Sequence, residues 1–143
     1  MGSRLPAQFL ADKQRCGVYR VPADFHPPGS PRLLWKPLAP ARLDHDGLLD
    51  ALARTLEFPA YFGRNWDAAW DCLTELDWPR ERLLVVYLPL AGVADAGELR
   101  LFVELLRDAC AWWAQRDHAL CLLLAGERHD LPLLDTLPWL PGP

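Results

Sequence analysis

Between Pro59 and Glu75 the chain reads PAYFGRNWDAAWDCLTE. Asp67, Asp71 and Glu75 are spaced i, i+4, i+8, which in a helix puts all three on one face about 6 Å apart along the axis. No Lys or Arg lies within the helical stretch to compensate them. Like charges at this spacing each cost a helix roughly a few tenths of a kcal/mol. The helix dipole favours Asp67 in the first turn, but Asp71 falls mid-helix, where Asp is a poor helix former. Tyr61, Phe62, Trp66 and Trp70 stand beside these acids. Aromatics next to uncompensated carboxylates suit recognition of a cationic protein surface. The plainer alternative is an amphipathic helix with Trp66, Ala69, Trp70 and Leu73 inside and the acids merely solvated.

The residues that could support other chemistries are less well placed. Asp67 and Asp71 could imitate an acid–base pair, but they lie on an exposed face. Asp44-His45-Asp46 sits at a helix start, where capping and the dipole favour Asp. No GxSxG, P-loop or HExxH pattern occurs. The cysteines, at 16, 72, 110 and 121, form no CxxC pair and have no His at zinc-ligand spacing. The chain therefore reads as a non-enzyme with no cofactor, no metal and reduced thiols.

Charge is unevenly spread. Residues 44–77 hold eight acids and two bases, a net of −6, whereas the whole chain carries −4. That block would repel phosphates, so a basic protein and not a nucleic acid is the expected partner. No run approaches the ~18 apolar residues of a membrane span, and no apolar segment follows the first charges as in a signal peptide. A cytoplasmic protein, monomeric when free, is expected.

The elements that must position the acids follow from proline spacing and periodicity. Seven of the 14 prolines lie in residues 1–43 and four in 132–143, leaving 44–131 as the regular part. A short helix near Pro6–Arg15, closed by Gly17, and strands at Val18–Val21 and Leu33–Lys36 are predicted. A helix follows from His45 to Glu57, capped by Asp44, and another from Trp66 to Leu76, capped by Asn65. Leu83–Leu88 and Ala119–Leu124 are continuous apolar runs, as in parallel strands covered on both faces. Between them Asp95 and Glu98, at capping-box spacing, open a long helix to Gln115. The fold class is α/β: a small single domain with packed helices and a parallel sheet.

The run PAYFGRNWDAAWDCLTEL, fitting P-x-Y-[YF]-G-x-N-x-D-A-x-W-D-C-L-T, resembles the barstar family of intracellular ribonuclease inhibitors. The likeness extends more loosely from Leu33 to Ala125. It implies a barstar-like domain at 33–125 with a three-stranded parallel sheet; outside it lie an N-terminal arm at 1–32, which could add a strand, and a proline-rich tail at 126–143. It implies no catalytic activity, and a partner that is a cognate basic ribonuclease whose active site is plugged. Carried over by position, Asp71 is the central hot spot; the matching aspartate of the family's prototype is a known extreme, so that expectation is inherited. Asp67 pairs with a second basic residue, and Tyr61 covers the catalytic histidine or stacks beside it. Gly63, Asn65, Trp70 and Thr74 shape the contact, with Phe62 and Trp66 at its edge. The buried face of the helix then becomes Ala69, Cys72, Leu73 and Leu76. Arg64 is basic where the prototype has an acid, Glu75 replaces a glycine, and Asp108 matches a carboxylate on the long helix if about one extra turn follows it. These departures suggest a cognate enzyme that differs in detail from the prototype's; the alternative is an immunity or interaction protein of this fold that binds a different basic toxin. The tail at Trp139 is expected to pack back on the domain; the alternative is a polyproline recognition motif.

Overall fold

The two apolar runs form β3 (Leu83–Pro89) and β4 (Ala119–Ala125), which pair in parallel from Leu83↔Ala119 to Pro89↔Ala125. The computed structural model describes residues 16–140, so the helix expected at Pro6–Arg15 lies outside the described residues. β2 (Leu33–Pro37) runs parallel to β3, and β1 (Val18–Val21) runs parallel to β4. The strand order is β1-β4-β3-β2. The three strands implied by the resemblance are β4, β3 and β2; β1 is the added N-terminal strand. Every residue of β4 is buried, which is why its sequence shows no polar alternation.

Three described helices, α1 (His45–Thr55), α2 (Trp66–Thr74) and α3 (Ala96–Ala114), share one core with the sheet. Leu48, Leu52, Leu73, Phe102 and Leu106 meet Leu84, Val86 and Leu122, all fully or nearly fully buried. Each such side chain contributes about 1.5–3 kcal/mol over an exposed one. On the opposite sheet face Val85, Cys121 and Leu123 lie under Phe25, with Trp35 and Tyr87 alongside, their rings 4.7 Å apart.

The caps fall where the sequence places them. Asp44 accepts from the Gly47 amide at 2.9 Å, and Asn65 from the Ala68 amide at 2.7 Å. Gly47 is demanded by a close approach: a Cβ there would lie 2.0 Å from the Arg42 carbonyl oxygen. α1 stops at Thr55, two residues short of the expected Glu57, because Glu57 turns into the left-handed region at φ 55°. α2 likewise stops at Thr74, before the expected Leu76.

The C-terminal segment returns to the sheet after a 3-10 turn at Pro132–Thr136. The Arg20 amide donates to the Pro138 carbonyl at 2.8 Å, and the Leu140 amide to the Arg20 carbonyl at 2.9 Å. The Arg20 guanidinium lies 4.2 Å from the centre of the Trp139 ring. The tail therefore packs back along the free edge of β1, held by backbone rungs and a cation–π contact.

Candidate protein-binding face

α2 is a nine-residue helix with one buried side, formed by Ala69, Cys72 and Leu73. Leu76, also expected on that side, is only half-buried. Packing of this side turns Asp67, Asp71 and Glu75 to solvent, where all three are exposed. Among the described residues none forms an ion pair or side-chain hydrogen bond with these three carboxylates, nor with Asp108. Glu75 caps the C-terminal end, and the last turn of α2 has no basic residue. An acid at the negative end of the dipole costs stability. The field of these acids reaches the interior: burial first, then Glu75 and Asp71, pushes the Cys72 thiol above its ordinary value.

Tyr61 stands before the helix with 81% of its surface exposed, an unusual state for a large aromatic. Gly63, beside it, is exposed, has no positive φ, and would accept a Cβ with only ordinary contacts at 3.5 Å. The fold itself therefore does not demand glycine there. Arg64, at φ 54°, is turned back and donates to Asp50 at 2.6 Å. The cation immediately before α2 is thereby engaged with a carboxylate of α1.

Several expected contact residues have structural work within the chain. Asn65 is the helix cap. The Thr74 hydroxyl donates to the Trp70 and Asp71 carbonyls at 3.0 and 3.2 Å. Phe62 packs edge-on against Phe58 at 5.1 Å. Trp66 is half-buried, and its Nε1–H donates to Glu98 of α3 at 2.9 Å while its ring meets His45 and Phe102. The capping box at Asp95 is consequently half-formed: Asp95 accepts from the Glu98 amide at 3.1 Å, but the Glu98 carboxylate is taken by Trp66.

A shallow groove between α2 and α3 joins Asp67 and Trp70 to Asp108, together with Leu101, Glu104 and Leu105. Asp108 thus lies across the groove from Asp67. Leu101, Glu104 and Leu105 were not expected. Their signal was available: 101, 105 and 108 recur at helical spacing, off the core stripe of Leu99, Phe102, Val103 and Leu106. Leu101 is 44% exposed and Glu104 is paired with Arg100 at 3.1 Å. The face is therefore an acidic ridge with an aromatic entrance and a groove with apolar walls, suited to cationic side chains with apolar stems.

Among the described residues no group of three or more His, Cys, Asp or Glu is placed to hold a metal ion. No described helix is long and apolar enough to cross a membrane.

The family model described as "Barstar (barnase inhibitor)" matches residues 40–125, more than half of the chain. A Bacillus subtilis (strain 168) protein named "Putative ribonuclease inhibitor YrdF" is 60% identical over 30 residues. That stretch is 21% of this chain and 29% of the relative, so the match spans under a third of the relative's length.

Proposed function

We propose that this chain, which belongs to the barstar family, is a proteinaceous inhibitor that occludes the active site of a cognate ribonuclease. The observation that carries the reading is the unpaired state of Asp67 and Asp71 on a rigid, capped helix beside an exposed Tyr61. Carboxylates at helical spacing stand in for successive RNA phosphates. The enzyme's cationic groove responds to the charge, and a packed helix offers no bond to cleave. Asp71 enters the phosphate pocket, Asp67 and Asp108 hold a second basic side chain across the groove, and Tyr61 lies over the catalytic histidine. Gly63 lets the enzyme approach the backbone. Asn65, Trp66 and Thr74 act at one remove, by fixing the helix that carries the acids; Trp70 lines the groove, and Phe62 buttresses the turn.

The family's role and the relative's name both support inhibition and not catalysis. A second reading is an immunity protein of this fold directed at a different basic toxin. It is favoured by Glu75, which extends the unpaired acids of α2 beyond the shared motif. The test is titration of RNA cleavage by a panel of small basic microbial ribonucleases. Stoichiometric loss of cleavage with at least one of them supports the proposal. No inhibition, with capture from lysate of a basic toxin that does not cleave RNA, transfers the site to the second reading.

A further inference from the structure

Cys16, Cys110 and Cys121 lie on the side of the molecule where β1 joins the sheet, and the binding face described above uses none of them. All are free thiols; Cys16 is half-buried, while the other two are buried. The register Val18↔Leu122 and the hydrogen bond from the Leu122 amide to the Gly17 carbonyl (2.8 Å) put Gly17 opposite Cys121. Cys16 is the residue before Gly17, and its thiol lies in hydrogen-bonding contact with that of Cys121, the proximity that a disulfide requires. Cys16 also packs against the apolar cluster that contains Cys121. A cavity of about 380 Å³, lined by Cys16, Gly17, Arg107, Cys110 and Ala111, gives a small oxidant access to the Cys16 side chain.

We propose that Cys16 is an oxidation site that closes a disulfide with Cys121, stapling β1 to the central strand β4. With hydrogen peroxide as oxidant, the Cys16 sulfur attacks one peroxide oxygen, the O–O bond breaks, and Cys16 sulfenic acid and water form. The Cys121 sulfur then attacks the Cys16 sulfur, the S–O bond breaks, and a second water leaves. In total two thiols and one peroxide give one disulfide and two waters. Burial, and then contact with Cys16, pushes the Cys121 thiol well up, and burial does the same to Cys110. Cys121 and Cys110 are closed off from solvent, so the half-buried Cys16 at the cavity is the point of entry. The closed loop encloses most of the chain, so the bond restricts the unfolded state strongly and raises the melting temperature.

The test treats the full chain with hydrogen peroxide and maps its peptides by mass spectrometry without reduction. Cys16 and Cys121 are expected in one cross-linked pair, short of two hydrogens, with a higher melting temperature that reductant reverses. Cys16→Ser loses the cross-link and the shift, whereas Cys110→Ser keeps both. A Cys16–Cys110 bond, or Cys16 carried to sulfinic acid while Cys121 stays a thiol, would overturn the proposal. Wild-type mapping decides this even if Cys121→Ser fails to fold.

Discussion

Two groups of acids in this protein contrast. Four acids around α1 and after β4 have partners: Asp44 with Arg42 at 3.0 Å, Asp46 with His45 at 3.0 Å, Asp50 with Arg64 at 2.6 Å, and Asp130 with Arg128 at 2.7 Å. Single acids such as Glu57, Glu81 and Asp135 are scattered on the surface without one among the described residues. On α2, and facing it at Asp108, the carboxylates have none among the described residues. Arg64, immediately before α2, reaches back to Asp50 of α1 instead. The first population does what surface charges do for a fold: it caps, pairs and solvates. The second costs the fold a little, through i, i+4 repulsion and an acid at the wrong end of a dipole, with nothing recovered inside the molecule. Such local conflict is expected where a surface is kept for a partner.

Substitutions can break or sharpen this contrast. The largest expected effect is Asp71→Ala, which should weaken the complex with the cognate ribonuclease by about 2–5 kcal/mol, mostly as faster dissociation. That magnitude is taken over from measured charge pairs, complexes of this family's prototype among them. Its melting temperature should hold or rise, since a mid-helix Asp is exchanged for Ala between two like charges. Surface plasmon resonance with a parallel thermal melt reads both quantities.

Asp44→Ala should do the reverse. It removes the acceptor for the Gly47 amide, so unfolding in urea should show a loss of about 1 kcal/mol, with the dissociation rate unchanged. Asp50→Ala breaks the exposed pair with Arg64, worth about 0.2–1 kcal/mol at most. Because it frees a cation beside Tyr61, it should also slow association slightly at low salt, an effect lost as salt is added.

The smallest effect is a titration. The Arg128 guanidinium, hydrogen-bonded to Asp130, holds its carboxyl below the usual carboxylate value. A carboxyl whose folded value is depressed contributes stability above the unfolded value, near 3.9, and loses it as pH falls through the lower folded value. Carbon-detected NMR should place the Asp130 midpoint below that of a free Asp, and Arg128→Ala should return it upward.

Local pattern made much of this legible. Leu83–Leu88 and Ala119–Leu124 read as covered parallel strands because both faces are apolar, and they pair as adjacent parallel strands. Asp44, Asn65 and Asp95 read as caps because a cap acts within three residues. What the sequence hid was long-range. Glu98 looks like a partner for its own helix start, yet it holds Trp66, 32 residues earlier. Arg64 reads as a stray positive rim charge until Asp50 is seen 2.6 Å away. Helical spacing puts Leu101, Leu105 and Asp108 on one stripe of α3, but not which element that stripe faces; the groove beside Asp67 depends on where α3 crosses α2.

The claim that the unpaired acids form the binding face is tested most directly by mapping the face itself. Cross-saturation NMR of the labelled protein, bound to the ribonuclease whose cleavage it blocks, reports which amides lie under the enzyme. The account predicts saturation confined to Tyr61 through Glu75 and the turns of α3 from Leu101 to Asp108. Saturation along β1 and the Trp139 tail, with α2 unaffected, would contradict it.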